Sequence, residues 1–362
     1  MKVCQVTSVH DATDGRVFER ISSSLAKKYD VYLIAPNVAD TIVNGVNIKG
    51  VNLPVDRFKR QRSLDRVYEK MIEIDADVYH FHDPELMQYG LKIKKRGKKI
   101  IFDSHENIPA QIRTKPYIPK LFRGIASKLY ERYERFVFRR YDALVSVTPE
   151  IVERLKSINP NTYMLTNYPI YKEEADNRTW ERKIGFAGLI TSNWMLDIIL
   201  NAIKDIDVTF ELAGPVSGNY LEYLKSLPGW SKVNYHGVIK HDEVFEMLQP
   251  CSIGLSVASI NNPNGGYNKG SLGVTKMFEY MSAGIPVLAS NHLLWVPIIE
   301  GNDCGYCVNP SDISIIKEKI QYLLENPDEA KRLGDNGRRA VKEKYCWQTQ
   351  EKTLFDMYNK LF

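Results

Sequence analysis

The first half of the chain alternates short apolar runs with segments whose apolar residues recur every three or four positions. Short, fully apolar runs are typical of strands that are buried on both faces of a parallel sheet, and the periodic segments between them predict helices. Between the first two runs, Val17, Ile21 and Leu25 recur at a spacing of four, which predicts a helix with one apolar stripe. The pattern predicts strands at residues 3–6, 31–35, 78–81, 100–102 and 143–147.

The same alternation restarts after a polar stretch at residues 171–182, which we interpret as an inter-domain linker. It predicts a helix at 275–282, a helical tail from 311 to 362, and strands at 184–186, 208–212, 232–236, 253–257 and 286–289. We therefore predict an α/β protein with two Rossmann-like, doubly wound parallel-sheet domains that face a cleft. The predicted domains span residues 1–170 and 171–344, and a C-terminal helix at about 345–362 is expected to pack back on the first.

Composition supports a folded protein and sets the expected compartment. Of the 362 residues, 44% are apolar and 26% are charged, which is ordinary for a globular chain and unlike an extended disordered one. No apolar run approaches about 18 residues, and polar residues interrupt the start too early for a secretory signal. We expect a cytoplasmic protein.

Charge is distributed unevenly, and one basic segment stands out. Residues 1–170 carry 29 Lys and Arg against 20 Asp and Glu, whereas the remainder carries 20 against 24. Residues 112–141 hold nine basic and two acidic residues interleaved with aromatics, which favours contact with an anionic membrane surface and a peripheral position on the inner face of the cell membrane. A solvated helix face is the alternative. Without a recognisable nucleic-acid module, we expect no nucleic-acid partner.

A candidate anion-binding site lies where a helix is predicted to begin after a glycine-containing loop. Gly273, Val274 and Thr275 precede this helix, and Lys276 and Glu279 lie one turn apart on it. Free amides and the dipole at a helix start bind anions such as a diphosphate, and Lys276 adds a positive charge. An ordinary ion pair between Lys276 and Glu279 is the alternative.

The string KMFEYMSAGIPVLAS closely resembles the donor-site signature of glycosyltransferase family 4, whose members are retaining enzymes of the GT-B fold. The resemblance extends in order through VTSVHDATDGRVFERISSSLAKKYDVYLIAP, FHDPELM, IIFDSHENIP, IGFAGLI, FELAGP and VNYHGVIKHDEVFEML to the C-terminal segment. It therefore covers almost the whole chain. The chain resembles the bacterial capsular, exopolysaccharide or O-antigen type of this family.

The resemblance implies roles for individual residues. Glu279 matches the glutamate that holds the ribose, and His105 matches the histidine beside the anomeric centre of the donor sugar. His105 and Lys276 are our candidate catalytic residues. The other donor-binding candidates are Gly15 in the first-strand loop, Gly188 at the start of the second domain, Val238 and Ile239 beside the base, and Gly273, Val274 and Thr275 at the diphosphate.

Two departures from the family pattern concern the donor sugar and the diphosphate. Ser271 occupies the position where the family usually has its first glutamate, and Leu189 and Asn193 stand where Arg and Lys are common. We expect Lys276 to replace part of the missing charge, since one cation still neutralises part of a diphosphate.

The first domain supplies candidates for the acceptor side. His10, Asp14 and Arg16 fall in the first βα loop at the carboxyl edge of the sheet, and His82 and Glu106 follow two further strands. His80 and His82, with Asp83 and Glu85, have the chemistry of a metal cluster, but the family does not need a metal, so no metal or other cofactor is expected. His241 and His292 lack partner patterns and are expected at the surface.

The expected activity is that of a retaining hexosyltransferase acting on a UDP- or GDP-sugar. Its expected acceptor is a lipid-linked or cell-surface glycan, and the mechanism implied by the family is front-face substitution. Two alternatives stay open. One is a nucleotide-sugar 2-epimerase, and the other is a glycosyltransferase-like subunit that binds nucleotide without turnover, which Ser271 favours.

Overall fold

A computed structural model of the protein describes residues 1–115, 117–173, 178–260 and 268–361. Its contacts divide the chain into two compact units, Met1–Asn167 with Gln350–Phe362, and Tyr168–Thr349. The chain changes unit just before the predicted linker. Residues 174–177 of that linker lie outside the described residues, and its last part already belongs to a strand that begins at Glu181.

In the part of the chain that is described, the first unit holds an eight-stranded sheet in the order β3-β4-β2-β1-β5-β6-β7-β8. Neighbouring strands are parallel except β3 and β4. Every residue of β5 and β7 is buried, as expected for strands covered on both faces. The strands are β1 (Lys2–Val6), β2 (Asp30–Pro36), β3 (Thr41–Val43), β4 (Val46–Val51), β5 (Val78–Phe81), β6 (Lys99–Ser104), β7 (Ala143–Ser146) and β8 (Thr162–Met164).

The first helical segment after β1 is a π-helix (Gly15–Ser22), which continues as α1 (Ser23–Leu25). The predicted stripe of Val17, Ile21 and Leu25 is fully buried on it. The other helices of this part of the chain are α2 (Arg57–Arg62), α3 (Asp65–Ile74), α4 (Met87–Lys94), α5 (Ile108–Ile112), α6 (Lys120–Phe138) and α7 (Pro149–Lys156), with a 3-10 turn at Pro84–Leu86.

The second unit holds a parallel sheet in the order β11-β10-β9-β12-β13-β14 across the described residues. Its strands are β9 (Glu181–Ala187), β10 (Thr209–Ala213), β11 (Val233–Gly237), β12 (Cys251–Ser256), β13 (Val287–Ser290) and β14 (Gly305–Val308). The helices are α8 (Leu196–Ile203), α9 (Tyr220–Lys225), α10 (His241–Leu248), α11 (Lys276–Ala283), α12 (Val296–Ile299), α13 (Ile313–Glu325) and α14 (Pro327–Glu343), with 3-10 turns at Ser192–Trp194 and Pro228–Lys232.

The last helix, α15 (Trp347–Asn359), begins in the second unit and ends in the first. Its Tyr358 hydroxyl accepts a hydrogen bond from Gln5 Nε2 at 3.0 Å, so the end of the helix packs against β1. The last residue of the predicted helical tail, at position 362, lies outside the described residues.

Four strands of the described chain were not predicted from the pattern, and two of them form a hairpin. The hairpin of β3 and β4 turns at Asn44 and Gly45, which both have positive φ (50° and 76°) and form a common hairpin dipeptide. The other two are the edge strands β8 and β14. β3, β8 and β14 lie at sheet edges, where exposure breaks the apolar runs that marked the central strands, and β4 lies next to the edge strand β3.

Candidate active site

A cavity of about 280 Å³ lies at the carboxyl edge of the first unit's sheet. The loops after β1, β5 and β6 form most of its wall, because the carboxyl ends of parallel strands meet at one edge. Four residues predicted from the sequence line it together: His10, His82, His105 and Glu106.

The loop after β1 is fixed by Asp14, which caps the π-helix. Its carboxylate accepts hydrogen bonds from the amides of Arg16 (2.8 Å) and Val17 (2.7 Å), and its second oxygen lies 3.1 Å from His10 Nδ1. The bond to Asp14 raises the pKa of His10. Burial alone would raise the pKa of Asp14, but His10 and the two amides outweigh it and lower that pKa. Gly15 begins the helix directly beside this cap.

Asp103, at the end of β6, joins three of the predicted site residues. Arg16 donates to both of its carboxylate oxygens, and its Oδ2 lies 3.3 Å from His105 Nε2 and 3.5 Å from His82 Nδ1. Burial would raise the pKa of Asp103, but the charge of Arg16 and contacts with His105 hold it well below its usual value. Asp103 is therefore an ionised carboxylate that lies against both His82 and His105, a contact that no motif in the sequence indicated.

His80, His82 and Asp103 form a buried group whose possible ligand atoms all lie within 4.8 Å of one another. The other nitrogen of each imidazole is within hydrogen-bonding distance of a neighbouring side chain. His80 Nδ1 lies 2.9 Å from the Tyr358 hydroxyl, and His82 Nε2 lies 2.8 Å from Gln5 Oε1. Burial lowers the pKa of both histidines, which favours their neutral forms. Neutral imidazoles and a carboxylate suit a metal, but the guanidinium of Arg16 already occupies both oxygens of that carboxylate.

Helix α6 forms the remaining wall of the cavity with Tyr130, Glu134 and Phe138. Glu134 is 1% exposed and pairs with Arg154 from α7. The opposite face of α6 is unusually apolar for an exposed surface and carries Leu121, Phe122, Ile125, Leu129, Tyr133 and Phe136. Helix α6, which belongs to the predicted basic segment, thus lines the cavity with one face and exposes apolar side chains on the other. Pro116 of that segment lies outside the described residues.

The second unit places the predicted diphosphate residues at the start of α11. Ser271 shapes the preceding loop: its hydroxyl accepts from the Gly273 amide at 3.1 Å, and its carbonyl accepts from Trp295 Nε1 at 3.1 Å. Thr275 precedes the first helical residue and provides no side-chain cap. The Val274 amide donates to the Ser271 carbonyl at 3.4 Å. The first amides of α11, beginning at Lys276, have no acceptor within the helix, so the helix start presents donors suited to an anion.

Lys276 is almost completely buried at this helix start. Its Nζ has no hydrogen-bond partner among the described residues, so the hydrogen-bonded ion pair with Glu279 weighed from the sequence does not form. Instead, Nζ lies over the rings of Trp194 and Phe186. Burial lowers the pKa of Lys276 well below its usual value, although the charge of Glu279 opposes this. Glu279 itself is partly buried one turn along α11.

The glycine of the loop after β9 allows a close backbone approach. Gly188 has φ 139°, and a Cβ placed on Gly214 of the neighbouring loop would lie 1.9 Å from the Gly188 carbonyl oxygen. The predicted base-side residues follow β11, with Val238 exposed and Ile239 partly buried against the core. Leu189, where the family commonly has a basic residue, is exposed.

One expectation about histidines is wrong. His292 was expected at the surface, but it is 4% exposed and packs edge-on against the Trp295 ring, with centroids 4.5 Å apart. Burial lowers its pKa. The apolar environment next to β13 was not visible in a sequence where His292 follows a short strand and an asparagine. The side chain of His241 lies outside the described residues.

Family comparisons match both halves of the chain. The family described as Glycosyltransferase Family 4 matches residues 15–162, and the one described as glycosyl transferase-like matches residues 193–356. The chain is 27% identical to an uncharacterised glycosyltransferase of Methanocaldococcus jannaschii over 91% of this chain and 98% of that protein. It is 36% identical to the MMP α-(1→4)-mannosyltransferase of Mycolicibacterium hassiacum, but over only 23% of this chain and 20% of that enzyme.

Solved structures match over the full length of the chain. Sucrose-phosphate synthase from Thermosynechococcus elongatus has a TM-score of 0.72 at 14% identity, covering 100% of this chain and 99% of that one. Anabaena HepE in complex with UDP-glucose has a TM-score of 0.69 at 12% identity, covering 99% and 100%. At these identities the likeness shows the fold.

The two parallel-sheet α/β domains are those of a GT-B glycosyltransferase, as the resemblance implied. The chain belongs to the family 4 type of glycosyltransferases.

Among the described residues, no helix is long and apolar enough to cross a membrane.

Proposed function

We propose that the protein transfers a sugar, with retention of configuration, from a UDP- or GDP-sugar to a lipid-linked or cell-surface glycan. The observation that carries the donor assignment is the buried side chain of Lys276 at the start of α11, whose Nζ finds no hydrogen-bond partner in the described part of the chain. A buried cation without an anion is costly, and a diphosphate at a helix start would supply the missing charge.

Two comparisons support a nucleotide-sugar donor. HepE, which has the same fold, was solved in complex with UDP-glucose. The relative from Mycolicibacterium hassiacum, which aligns with this chain over 20% of its length, is a mannosyltransferase. We assign the ribose to Glu279 and the diphosphate to Lys276 and the amides around Val274 and Thr275. The base lies against Val238 and Ile239 in this assignment.

The proposed reaction is a front-face substitution at the anomeric carbon. The bond from this carbon to the diphosphate oxygen breaks, and a bond to the acceptor hydroxyl oxygen forms on the same face. The hydroxyl proton passes to the leaving diphosphate. Lys276 and the helix start stabilise the negative charge that develops on the leaving group, the kind of preorganised electrostatic effect that usually dominates catalysis. His105, positioned by Asp103, is assigned to the donor sugar.

The first unit is proposed to bring the acceptor to the reaction from a membrane surface. The exposed apolar face of α6 is flanked by exposed Lys128, Arg132, Arg139 and Arg140. This combination suits the headgroup region of an anionic bilayer and favours a peripheral protein. The acceptor pocket is the cavity lined by His10, His82 and Glu106, with Asp14 and Arg16 supporting its wall.

We propose that catalysis needs no metal. The best candidate ligand set, His80, His82 and Asp103, already contains the cation of Arg16 on its carboxylate. A divalent ion bound to Asp103 would lie close to the positive charge of Arg16 on the same carboxylate, and the two cations would repel each other.

Glu279→Ala tests the donor assignment. The variant is expected to bind UDP and GDP at least about tenfold more weakly, because it loses charged hydrogen bonds to the ribose. Glu222→Ala, which removes an exposed glutamate of α9, is the matched control and should bind normally. Thermal shift with a panel of UDP- and GDP-sugars identifies the donor, since a ligand at 100 times its Kd adds about 2.7 kcal/mol. Unchanged binding by Glu279→Ala would overturn the assignment.

Ser271 favours one further candidate, a subunit that binds the nucleotide without transferring sugar. The serine hydroxyl is engaged with the Gly273 amide and replaces the glutamate that touches the donor sugar in the family. Incubation with donor alone and with acceptor separates the possibilities. Binding without transfer identifies the inactive subunit, and epimerised nucleotide sugar formed without acceptor identifies a 2-epimerase.

A further inference from the structure

We propose that Trp194 is a positioning residue for the donor site, where its indole face holds the ammonium of Lys276 in place for the diphosphate. This inference rests on the proposed function and deepens it. No motif in the sequence marks Trp194, and it stands beside Asn193, at the point where the basic pair of the family is missing.

The geometry is that of an aromatic cage. Lys276 Nζ lies 3.3 Å from the ring centroid of Trp194 and 3.8 Å from that of Phe186. The two rings meet edge to face, with centroids 5.7 Å apart and planes at 64°. Cation–π attraction is strongest for indole and increases when the cation is removed from water. Lys276 is 8% exposed, so both conditions hold.

The backbone places Trp194 over this position with some strain. Trp194 ends the 3-10 turn Ser192–Trp194, and the next residue, Met195, has φ 48° and ψ 33°. A left-handed conformation at a residue other than glycine is uncommon and costs free energy. Met195 is also the residue from which α8 begins, and Leu196 at the helix start is buried in the core. The buried Leu196 thus anchors the turn that carries the indole to the core of the second unit.

Gly188 lies on a third side of the Lys276 ammonium. A Cβ on Gly188 would lie 3.0 Å from Lys276 Nζ. A side chain at this position would therefore crowd the ammonium, and the glycine belongs to the loop that the family resemblance assigns to the donor. An anion that reaches the start of α11 thus meets a cation that lies over two rings and that has no hydrogen-bonded carboxylate among the described residues.

The charged surroundings of Lys276 make the cage sensitive to protonation. Glu279 on α11 is the charged group whose field acts on Nζ, whereas β9 and the 192–194 turn present the rings of Phe186 and Trp194. Burial lowers the pKa of Lys276. The rings favour the ammonium and oppose that shift, so removal of the indole should lower the pKa further. Donor binding, which requires the ammonium, should then weaken from a lower pH.

The experiment measures Kd for UDP and GDP by calorimetry, from pH 6 to 9, and uses whichever nucleotide binds more tightly. Trp194→Leu is expected to raise Kd about tenfold, because it keeps bulk but removes the cation–π contact. It should also move the loss of binding at high pH to a lower pH. Trp194→Phe, which retains an aromatic face, should recover most of the affinity. Trp230→Leu removes another tryptophan of the second unit and should leave Kd unchanged.

A double-mutant cycle separates positioning from general packing. In a Lys276→Met background, Trp194→Leu should have no further effect on Kd, since the cation it positions is absent. An equal loss in both backgrounds, or an unchanged Kd and pH profile in Trp194→Leu, would overturn the proposal. If Trp194→Leu does not fold, the same cycle with Trp194→Met decides, because methionine also lacks an aromatic face. Failure of the wild-type protein to bind UDP or GDP would instead overturn the proposed function.

Discussion

The guanidinium of Arg16 donates two parallel hydrogen bonds to the carboxylate of Asp103, Nε to Oδ2 at 2.7 Å and Nη2 to Oδ1 at 2.9 Å. Both side chains are buried, with exposures of 5% and 0%. Arg16 comes from the first turn of the π-helix and Asp103 from the end of β6, so the pair fixes the loop after β1 to the strand that precedes His105. One buried ion pair therefore connects the loop that carries His10, on the candidate acceptor side, to the strand end that precedes the candidate catalytic residue His105.

Asp103→Asn should destabilise the protein by about 3 to 5 kcal/mol, because it leaves the buried Arg16 cation without its counter-charge. Urea unfolding monitored by circular dichroism measures the change. Lys70→Ala is the matched control, since it breaks the Lys70–Glu73 pair at the surface and should cost less than about 1 kcal/mol. Equal effects of the two substitutions would show that the Arg16–Asp103 pair contributes no more than a surface ion pair.

His80 predicts a pH dependence of stability. Burial lowers its pKa well below the value of about 6.5 expected in the unfolded chain. Above that value both states are neutral and the contribution of His80 is fully present. As the pH falls below it, the unfolded chain takes up a proton that the folded chain does not, so stability is lost at about 1.4 kcal/mol per pH unit.

Urea titrations between pH 7.5 and 5.5 check this prediction in wild type and His80→Gln. Glutamine keeps a polar partner for Tyr358 but cannot titrate, so the variant should lose less stability on acidification. His82 adds to the wild-type slope in the same direction, and His10, whose pKa is raised, acts in the opposite one. Parallel pH profiles for wild type and variant would contradict the assignment of a buried neutral His80.

The central strands of both sheets could be predicted from the sequence because they are buried on both faces. Runs such as Val78–Phe81 are fully apolar or carry a single buried polar residue, and this pattern has few other structural explanations. The hairpin at Asn44 and Gly45 was missed although its turn dipeptide was visible, because β3 is exposed and shows no apolar run. The sequence therefore predicted the core of each sheet better than its edges.

The sequence predicted those site residues that belong to a motif or to a helix start. It did not predict residues whose role depends on a contact with a residue far away in the sequence. Lys276 and Glu279 were visible from their position at a helix start. Asp103 was not, because its role depends on Arg16, 87 positions earlier in the chain. Trp194 was likewise missed, since only the folded chain brings it to Lys276.

Lys276→Met should increase stability while it impairs function. A methionine of similar length fills the space between the rings of Trp194 and Phe186 without a buried unpaired charge, which should stabilise the protein by about 1 kcal/mol or more. Loss of the cation should lower sugar transfer on the order of 10²-fold. Thermal melting and transfer assays on the same preparation measure both effects. A variant that is less stable than wild type would show that the ammonium is not an isolated buried charge.

Metal removal should leave the enzyme unchanged. After dialysis against EDTA, elemental analysis is expected to find far less than one equivalent of zinc or manganese, and sugar transfer should persist without added metal. The reason is the Arg16 guanidinium, which already neutralises the carboxylate of Asp103. About one equivalent of zinc that is retained by wild type and lost in His80→Gln would contradict this and identify His80, His82 and Asp103 as a metal site.

The exposed apolar face of α6 should bind anionic membranes. Leu129, which is 64% exposed at the middle of this face, is the residue whose replacement should matter most. In sedimentation with vesicles of phosphatidylcholine and phosphatidylglycerol, wild type should bind, and binding should weaken as salt rises or phosphatidylglycerol is omitted. Leu129→Glu should abolish most of the binding, because it places a negative charge on the apolar face. Ile42→Glu, a substitution at a 69% exposed position on β3, is the control and should bind like wild type. Equal binding by both variants would show that this face of α6 is not the membrane contact, and the acceptor would then have to reach the cavity from solution.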